Sequence, residues 1–121
     1  MLYNVFMAKP LKEIHNDSYE QIIDDLYYYL ASLSKPELLN FLNGIFTDSE
    51  IRMMHRRWHI AILLSSGLDF REVANIADVS TGTVMSVRKT MLSDNESITK
   101  AITYFKNKKK EESANDNQTI V

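Results

Sequence analysis

Hydroxyl-bearing, small and cationic side chains follow one another between Ser80 and Lys89. On a helix that begins near Thr81, the free N–H groups of the first turn and the hydroxyls of Ser80 and Thr81 could hold a phosphate. Thr83 and Met85 could contact thymine methyl groups, and Thr83 could also hydrogen-bond a base edge. This chemistry is that of double-stranded DNA binding. The candidate DNA contacts are Arg71, Ser80, Thr81, Gly82, Thr83, Met85, Ser86, Arg88 and Lys89.

The sequence around these residues has the pattern of a helix-turn-helix over about 69–92. Asp69 can cap a short helix at Phe70–Ala77, and Ser80 can cap a second helix over 81–92. The motif needs a small residue between its helices, an aliphatic residue after the turn, and two inward positions on the second helix. These requirements are met by Ala74, Val79, Val84 and Val87. Asp78 departs from the pattern, because a left-handed turn usually takes glycine there. The alternative is two packed helices with a tight turn and no nucleic-acid role.

The residue types at positions 81–86 also limit how a DNA sequence could be recognised. No arginine, asparagine or glutamine occurs at 81–86, so bidentate recognition of guanine or adenine is not evident. Methyl contacts, water and DNA shape would then carry any sequence preference. Arg71, Arg88 and Lys89 are expected to neutralise phosphates, and the alternative for each is a solvated face.

Four further helices are predicted around this motif. The first follows Ser18 and has apolar residues at three- and four-residue steps, widened by Tyr27, Tyr28 and Tyr29. Such an apolar helix either faces both its own core and a partner, or lies over a monomeric core. The second covers Lys35–Ile45, the third begins at the Thr47 to Glu50 capping box, and the last covers 96–106.

Composition supports an all-α fold with one domain. The chain has 121 residues, 45% of them hydrophobic and 25% charged, with only three glycines and two prolines. It has no cysteine, which excludes disulfides and thiolate chemistry. The net charge of −2 excludes a uniformly basic nucleic-acid binder, although lysine and arginine cluster near 52–57, 88–89 and 106–110.

The chain is expected to divide into a flexible N-terminal segment over 1–17, a helical domain over 18–110 and a disordered tail over 111–121. Residues 1–6 could be an added leader, because Met7 could also start translation. Neither a secretory signal nor a long apolar run is evident, so the expected location is cytoplasmic.

Four features of the sequence occur together: the run Leu38-Leu39-Asn40, the segment Thr47-Asp48-Ser49-Glu50, Arg57 and the 70–92 motif. In these features the chain resembles the Trp repressor-like family, and most closely its YerC/YecD branch. The resemblance covers roughly residues 18–106. It implies two chains interlocked through their N-terminal and C-terminal helices, and DNA binding by that symmetric homodimer.

The resemblance carries over only part of the family's tryptophan site. Thr47 and Arg57 match pocket positions, and Thr90 roughly matches a serine of the pocket. However, Ser86 stands where a second arginine stacks on the indole, and Val87 stands where a glycine leaves room for the ring. We therefore expect no tryptophan corepressor, and Thr47, Arg57 and Thr90 remain the candidates for contact with an unknown effector.

The sequence contains little that points to metal binding or catalysis. His55 and His59 have a metal-compatible spacing, but Arg56 occupies the place of a protease glutamate and no third ligand is evident. No phosphate loop or nucleophile motif occurs, so we expect neither an enzyme nor a metal protein.

The leading hypothesis is thus a homodimeric, sequence-specific transcriptional regulator, in particular a repressor. One alternative is a protein-interaction module that uses the same motif to dock another factor. A second alternative is a regulator gated by an effector other than tryptophan.

Overall fold

A computed structural model describes residues 17–92 and 96–119, with side chains up to residue 116. The described residues form six α-helices and one π-helical segment, and they contain no strand, which confirms the all-α prediction. The chain divides into two compact units, residues 1–47 and 48–121. The predicted flexible segment 1–17 lies, except for Asp17, outside the described residues.

The helices are α1 (Tyr19–Ser32), α2 (Lys35–Ile45), α3 (Asp48–Ser65), α4 (Phe70–Ala77), α5 (Thr81–Val87) and α6 (Glu96–Thr119). The π-helical segment at Arg88–Leu92 lies between α5 and α6.

The first unit contains α1 and α2, each begun by a serine cap. Ser18 Oγ accepts a hydrogen bond from the Gln21 N–H at 3.2 Å and so caps the start of α1. Ser34 and Glu37 form a full capping box that sequence analysis did not identify. The Ser34 hydrogen bonds hold the pKa of Glu37 below its usual value.

No side chain from residue 17 to residue 47 is buried. The rings of Tyr29 and Phe41 meet edge to face at 5.3 Å between centroids, yet Tyr29 is still 51% exposed. Tyr19, Tyr27 and Tyr28 are more exposed than that. The described helices of this unit therefore carry an apolar surface without an apolar core of their own.

The second unit has a core built where α3, α4 and α5 meet. The core residues are Ile60, Val73, Ala74, Ala77, Val84 and Val87. Ile60, Val73 and Val84 are fully inaccessible to solvent. Burial of an aliphatic side chain of this size stabilises a fold by about 1.5–3 kcal/mol, so this cluster fixes α5 against α3 and α4.

Helix α6 contacts α3 near Phe105 and Lys106. Ile102 is buried, the rings of Trp58 and Phe105 meet at 6.3 Å, and Lys106 Nζ donates a hydrogen bond to the Ser65 carbonyl at 2.7 Å. That lysine satisfies a carbonyl at the end of α3, where such groups lack helical partners.

The C-terminal end of α6 differs from the sequence-based prediction. The helix was expected to end near Lys106 and to be followed by a disordered tail, but it continues to Thr119. Every described side chain from 103 to 116 is exposed, so this part of the helix adds nothing to the core. The prediction of the helix end was wrong because it relied on the polar composition of the residues after Lys106. Such a composition indicates that a segment has no apolar core, but it does not exclude a helix. Among the described residues, no helix is long and apolar enough to cross a membrane.

Candidate nucleic-acid interface

The turn between α4 and α5 has the backbone geometry of a helix-turn-helix. Asp78 ends α4 in the left-handed conformation, with φ 56° and ψ 53°. The N–H groups of Asp78 and Val79 both donate to the Ala74 carbonyl. These two hydrogen bonds close the end of α4. The residue in the left-handed conformation is not glycine here, and aspartate tolerates that conformation better than most residues do.

Aspartate and serine caps set the start of each helix in the motif. Asp69 accepts a hydrogen bond from the Glu72 N–H at 2.9 Å, and this bond holds the pKa of Asp69 below its usual value. Ser80 Oγ accepts from the Thr83 N–H at 3.1 Å. Both caps were predicted from the sequence, and both are local consequences of residue type.

The Ser80 and Thr83 hydroxyls also bond to each other, at 3.0 Å between oxygens. Because Ser80 Oγ already accepts from the backbone, its proton can point to Thr83 Oγ1. The Thr83 proton is then available for an external acceptor such as a base edge or a phosphate oxygen. The cap thus orients the side chain that sequence analysis singled out for base contact.

All nine candidate DNA contacts are exposed. Val84 and Val87 face the core, while Gly82, Met85 and Lys89 lie on the opposite, outward side of the same helical path. Arg71 is exposed near the start of α4 and Arg88 directly follows α5. The motif therefore presents one continuous surface of small, apolar and cationic groups.

Phe70 belongs to this surface but was missed from the sequence. It is half-buried at the first position of α4, and the Arg88 guanidinium lies over its ring at 5.8 Å from the centroid. Such a contact between a cation and an aromatic face restricts the arginine side chain. An aromatic residue directly after a predicted cap, next to the motif's arginines, was the available signal.

The chain widens into a π-helical segment directly after α5, where the sequence predicted an uninterrupted helix over 81–92. Thr90 Oγ1 lies 3.0 Å from the Ser86 carbonyl and 3.4 Å from the Val87 carbonyl, so its proton can satisfy either acceptor. Single-turn π-helical segments within helices are frequent at functional sites. Here the segment begins with the cations Arg88 and Lys89.

Two of the three effector candidates contact each other. Arg57 Nη2 donates to Thr90 Oγ1 at 2.8 Å. Thr47 belongs to the other compact unit. A concavity of about 420 Å³ lies beside Arg57, between α3 and the start of α5, and Val87 lines it.

This arrangement does not fit a tryptophan corepressor. Val87 is only 1% exposed and forms part of the core, so an indole ring at this position would require the core to rearrange. Ser86 supplies no cation to stack on that ring, and one N–H group of the Arg57 guanidinium is directed to Thr90. Within the described residues, no group of three or more histidine, cysteine or acidic side chains could hold a metal.

Residues 21–106 match the family described as Trp repressor protein. No curated protein and no solved structure matches the chain. The family consists of helix-turn-helix DNA-binding regulators and not of enzymes, and the geometry above is that of such a motif. Because the match spans well over half of the sequence and includes the whole motif, the chain belongs to the Trp repressor protein family.

Proposed function

We propose that this chain is a sequence-specific transcriptional repressor that binds a pseudo-palindromic DNA site as a homodimer, and that it belongs to the YerC/YecD branch of its family. The observation that carries this proposal is the exposed outward side of α5, with Arg88 and Lys89 directly after it, Arg71 on α4, and a buried aliphatic side behind it. A surface of this kind offers hydrogen bonds and methyl contacts to base edges, while the cations neutralise phosphates.

Exposure in the first unit supports the homodimer. Its described side chains include large apolar groups and no buried residue, and Tyr104 and Phe105 of α6 are also exposed. A stable protein rarely leaves so much aromatic surface in water, and interlocking with a second copy would cover it. In such a dimer the two α5 helices would read successive major grooves, ~34 Å apart.

The experiment that tests this function is selection of bound fragments from the source genome at two salt concentrations. Enrichment of one palindromic motif, weakened steeply by salt, is the expected result, because each neutralised phosphate releases counterions. Sedimentation of the free protein should give the mass of a dimer. Absence of an enriched motif would contradict sequence-specific binding.

The alternative is a protein-interaction module that uses the same motif, and the net charge of −2 favours it. Salt separates the two functions: phosphate contacts give a steep logarithmic salt dependence, whereas an apolar protein interface gives a shallow one. A regulator gated by an effector other than tryptophan would enrich a motif only after metabolites are added. A DNA-binding regulator acts where the genome is, so we propose the cytoplasm as its compartment.

A further inference from the structure

The outward side of the helix-turn-helix contains two shallow concavities that share an apolar wall. One, of about 620 Å³, lies between Phe70, Met85 and Leu92. The other, of about 460 Å³, is lined by Phe70, Thr81 and Met85 among others. Phe70 and Met85 thus line both concavities, and Met85 is 56% exposed. We name this feature the Phe70–Met85 cleft.

Charged side chains border the cleft. The larger concavity is bordered by the cations Arg88 and Lys89, whereas the smaller one is bordered by both Arg71 and the carboxylate of Asp69. The Arg88 guanidinium lies over the Phe70 ring at 5.8 Å, which ties the position of this charge to the apolar wall. A partner that presents apolar groups beside negative charges therefore fits the larger concavity, where the cations lie.

The major groove of DNA meets both requirements. Its only apolar base-edge group is the C5-methyl of thymine, and phosphates flank it on both sides. Positions 81–86 hold no arginine, asparagine or glutamine, so the helix offers no bidentate pairing for guanine or adenine. The smallness of Gly82, at the edge of the larger concavity, allows a base edge to approach the helix backbone.

We propose that the Phe70–Met85 cleft is a thymine-methyl reader, with Phe70 as a specificity-determining residue beside Met85. This inference rests on the proposed function, since it assigns the bases that the same surface would read. Each half-site should then carry at least one thymine whose methyl group enters the cleft, while Arg88 contacts a phosphate next to it.

The test replaces thymidine by deoxyuridine in the selected DNA site, which removes the methyl group and leaves the base pairing intact. We expect wild-type protein to lose about fourfold in affinity for each methyl group that is read, the factor that burial of one methylene-sized group supplies. The loss should occur at a symmetric pair of positions. This arm uses only wild-type protein, so it does not depend on the folding of a variant.

Three variants locate the reader on the protein. The double variant Phe70→Ala/Met85→Ala should bind thymine and uracil sites equally. Phe70→Leu keeps an apolar wall but removes the ring under Arg88, so it should keep the uracil sensitivity and lose affinity for all sequences. Ile76→Ala is the matched control, because Ile76 is 55% exposed on α4 and does not line the cleft. Melting curves confirm that each variant folds.

The outcomes separate the two proposals. A selected site without thymine in its half-sites, a site that tolerates uracil at every position, or a double variant that keeps the uracil effect would each overturn the thymine reader alone. Failure to select any DNA site would overturn the proposed function itself and this inference with it, and would favour an apolar protein segment as the occupant of the cleft.

Discussion

The Arg57 guanidinium on α3 donates a 2.8 Å hydrogen bond to the hydroxyl of Thr90, in the π-helical segment that follows α5. The same hydroxyl lies within hydrogen-bonding distance of the Ser86 carbonyl at the end of α5. A scaffold helix is therefore connected through one side chain to the C-terminal end of the helix that faces outward. The Arg57–Thr90 bond complements the core contacts of Val84 and Val87 in fixing the orientation of α5.

Thr90→Val should weaken both the fold and DNA binding. Loss of this hydrogen bond is expected to lower the free energy of unfolding by about 1 kcal/mol. The affinity for all DNA sequences should fall several-fold, because α5 is held less firmly. Thermal melting and fluorescence anisotropy measure the two effects. Thr99→Val is the matched control on α6, and a double-mutant cycle with Arg57→Gln should show non-additive losses. Additive losses would mean that the two side chains act separately.

Free tryptophan should produce no binding heat with the wild-type protein. The indole would need space that the buried Val87 fills and a second cation where Ser86 stands. Isothermal titration calorimetry up to millimolar tryptophan tests this expectation, and DNA affinity should be the same with and without the amino acid. A micromolar site would show that the core around Val87 rearranges.

Stability should decline at acidic pH in part because of Asp69. The Glu72 N–H bond lowers the pKa of this carboxyl in the folded protein. Its contribution is therefore fully present above the unfolded value, about pH 4, and is lost as the pH falls through the lower folded pKa. Asn also caps a helix but does not titrate there, so Asp69→Asn should make the acid limb of a melting-temperature profile shallower. If the melting temperatures of the wild type and of Asp69→Asn fell equally with decreasing pH, Asp69 would not contribute to the loss of stability in acid.

The helix-turn-helix could be predicted because each of its signals is local. Asp69 and Ser80 cap helices through bonds to residues three positions later, and Val84 and Val87 share one face of a single helix. Asp78 was also identified as the left-handed residue, although it is not glycine. Such signals depend on residue type and spacing alone, so no knowledge of the tertiary structure was needed.

Features that depend on contacts distant in sequence could not be predicted. Arg88 meets Phe70 only because the core folds α5 against α4, so their pairing could not be inferred from residue type and spacing. The π-helical widening at Arg88–Leu92 likewise accompanies the bond from Arg57 on another helix. The DNA contacts themselves stay a prediction, because exposure permits a contact without establishing one.

Thr83→Ala and Lys89→Ala should weaken DNA binding in different ways. If Thr83 reads a base, its loss should cost ~1–3 kcal/mol on the selected site and little on unrelated DNA. Lys89→Ala should weaken binding to all sequences alike and lower the salt slope by about one phosphate contact. Affinity measured on both DNA classes at several salt concentrations separates these patterns. Thr83→Ser retains the hydroxyl and is the matched control. Intact affinity in both alanine variants would mean that α5 does not face the DNA.

Gly82→Ala should stabilise the protein and weaken DNA binding at the same time. A methyl group at Gly82 would meet only Ser80 Oγ, at an ordinary 3.7 Å, so the protein itself has room for it. Alanine in place of glycine stabilises the middle of a helix by roughly 0.5–1 kcal/mol, and this range is the upper limit for Gly82 at the second position of α5. The same methyl group would stand between the α5 backbone and the base edges, at a cost of ~1–3 kcal/mol for a displaced contact. Gly44→Ala is the control: nothing lies within 4 Å of its added methyl, so it should stabilise α2 and leave DNA affinity unchanged. If Gly82→Ala stabilises the fold without weakening binding, the DNA does not approach the start of α5 closely.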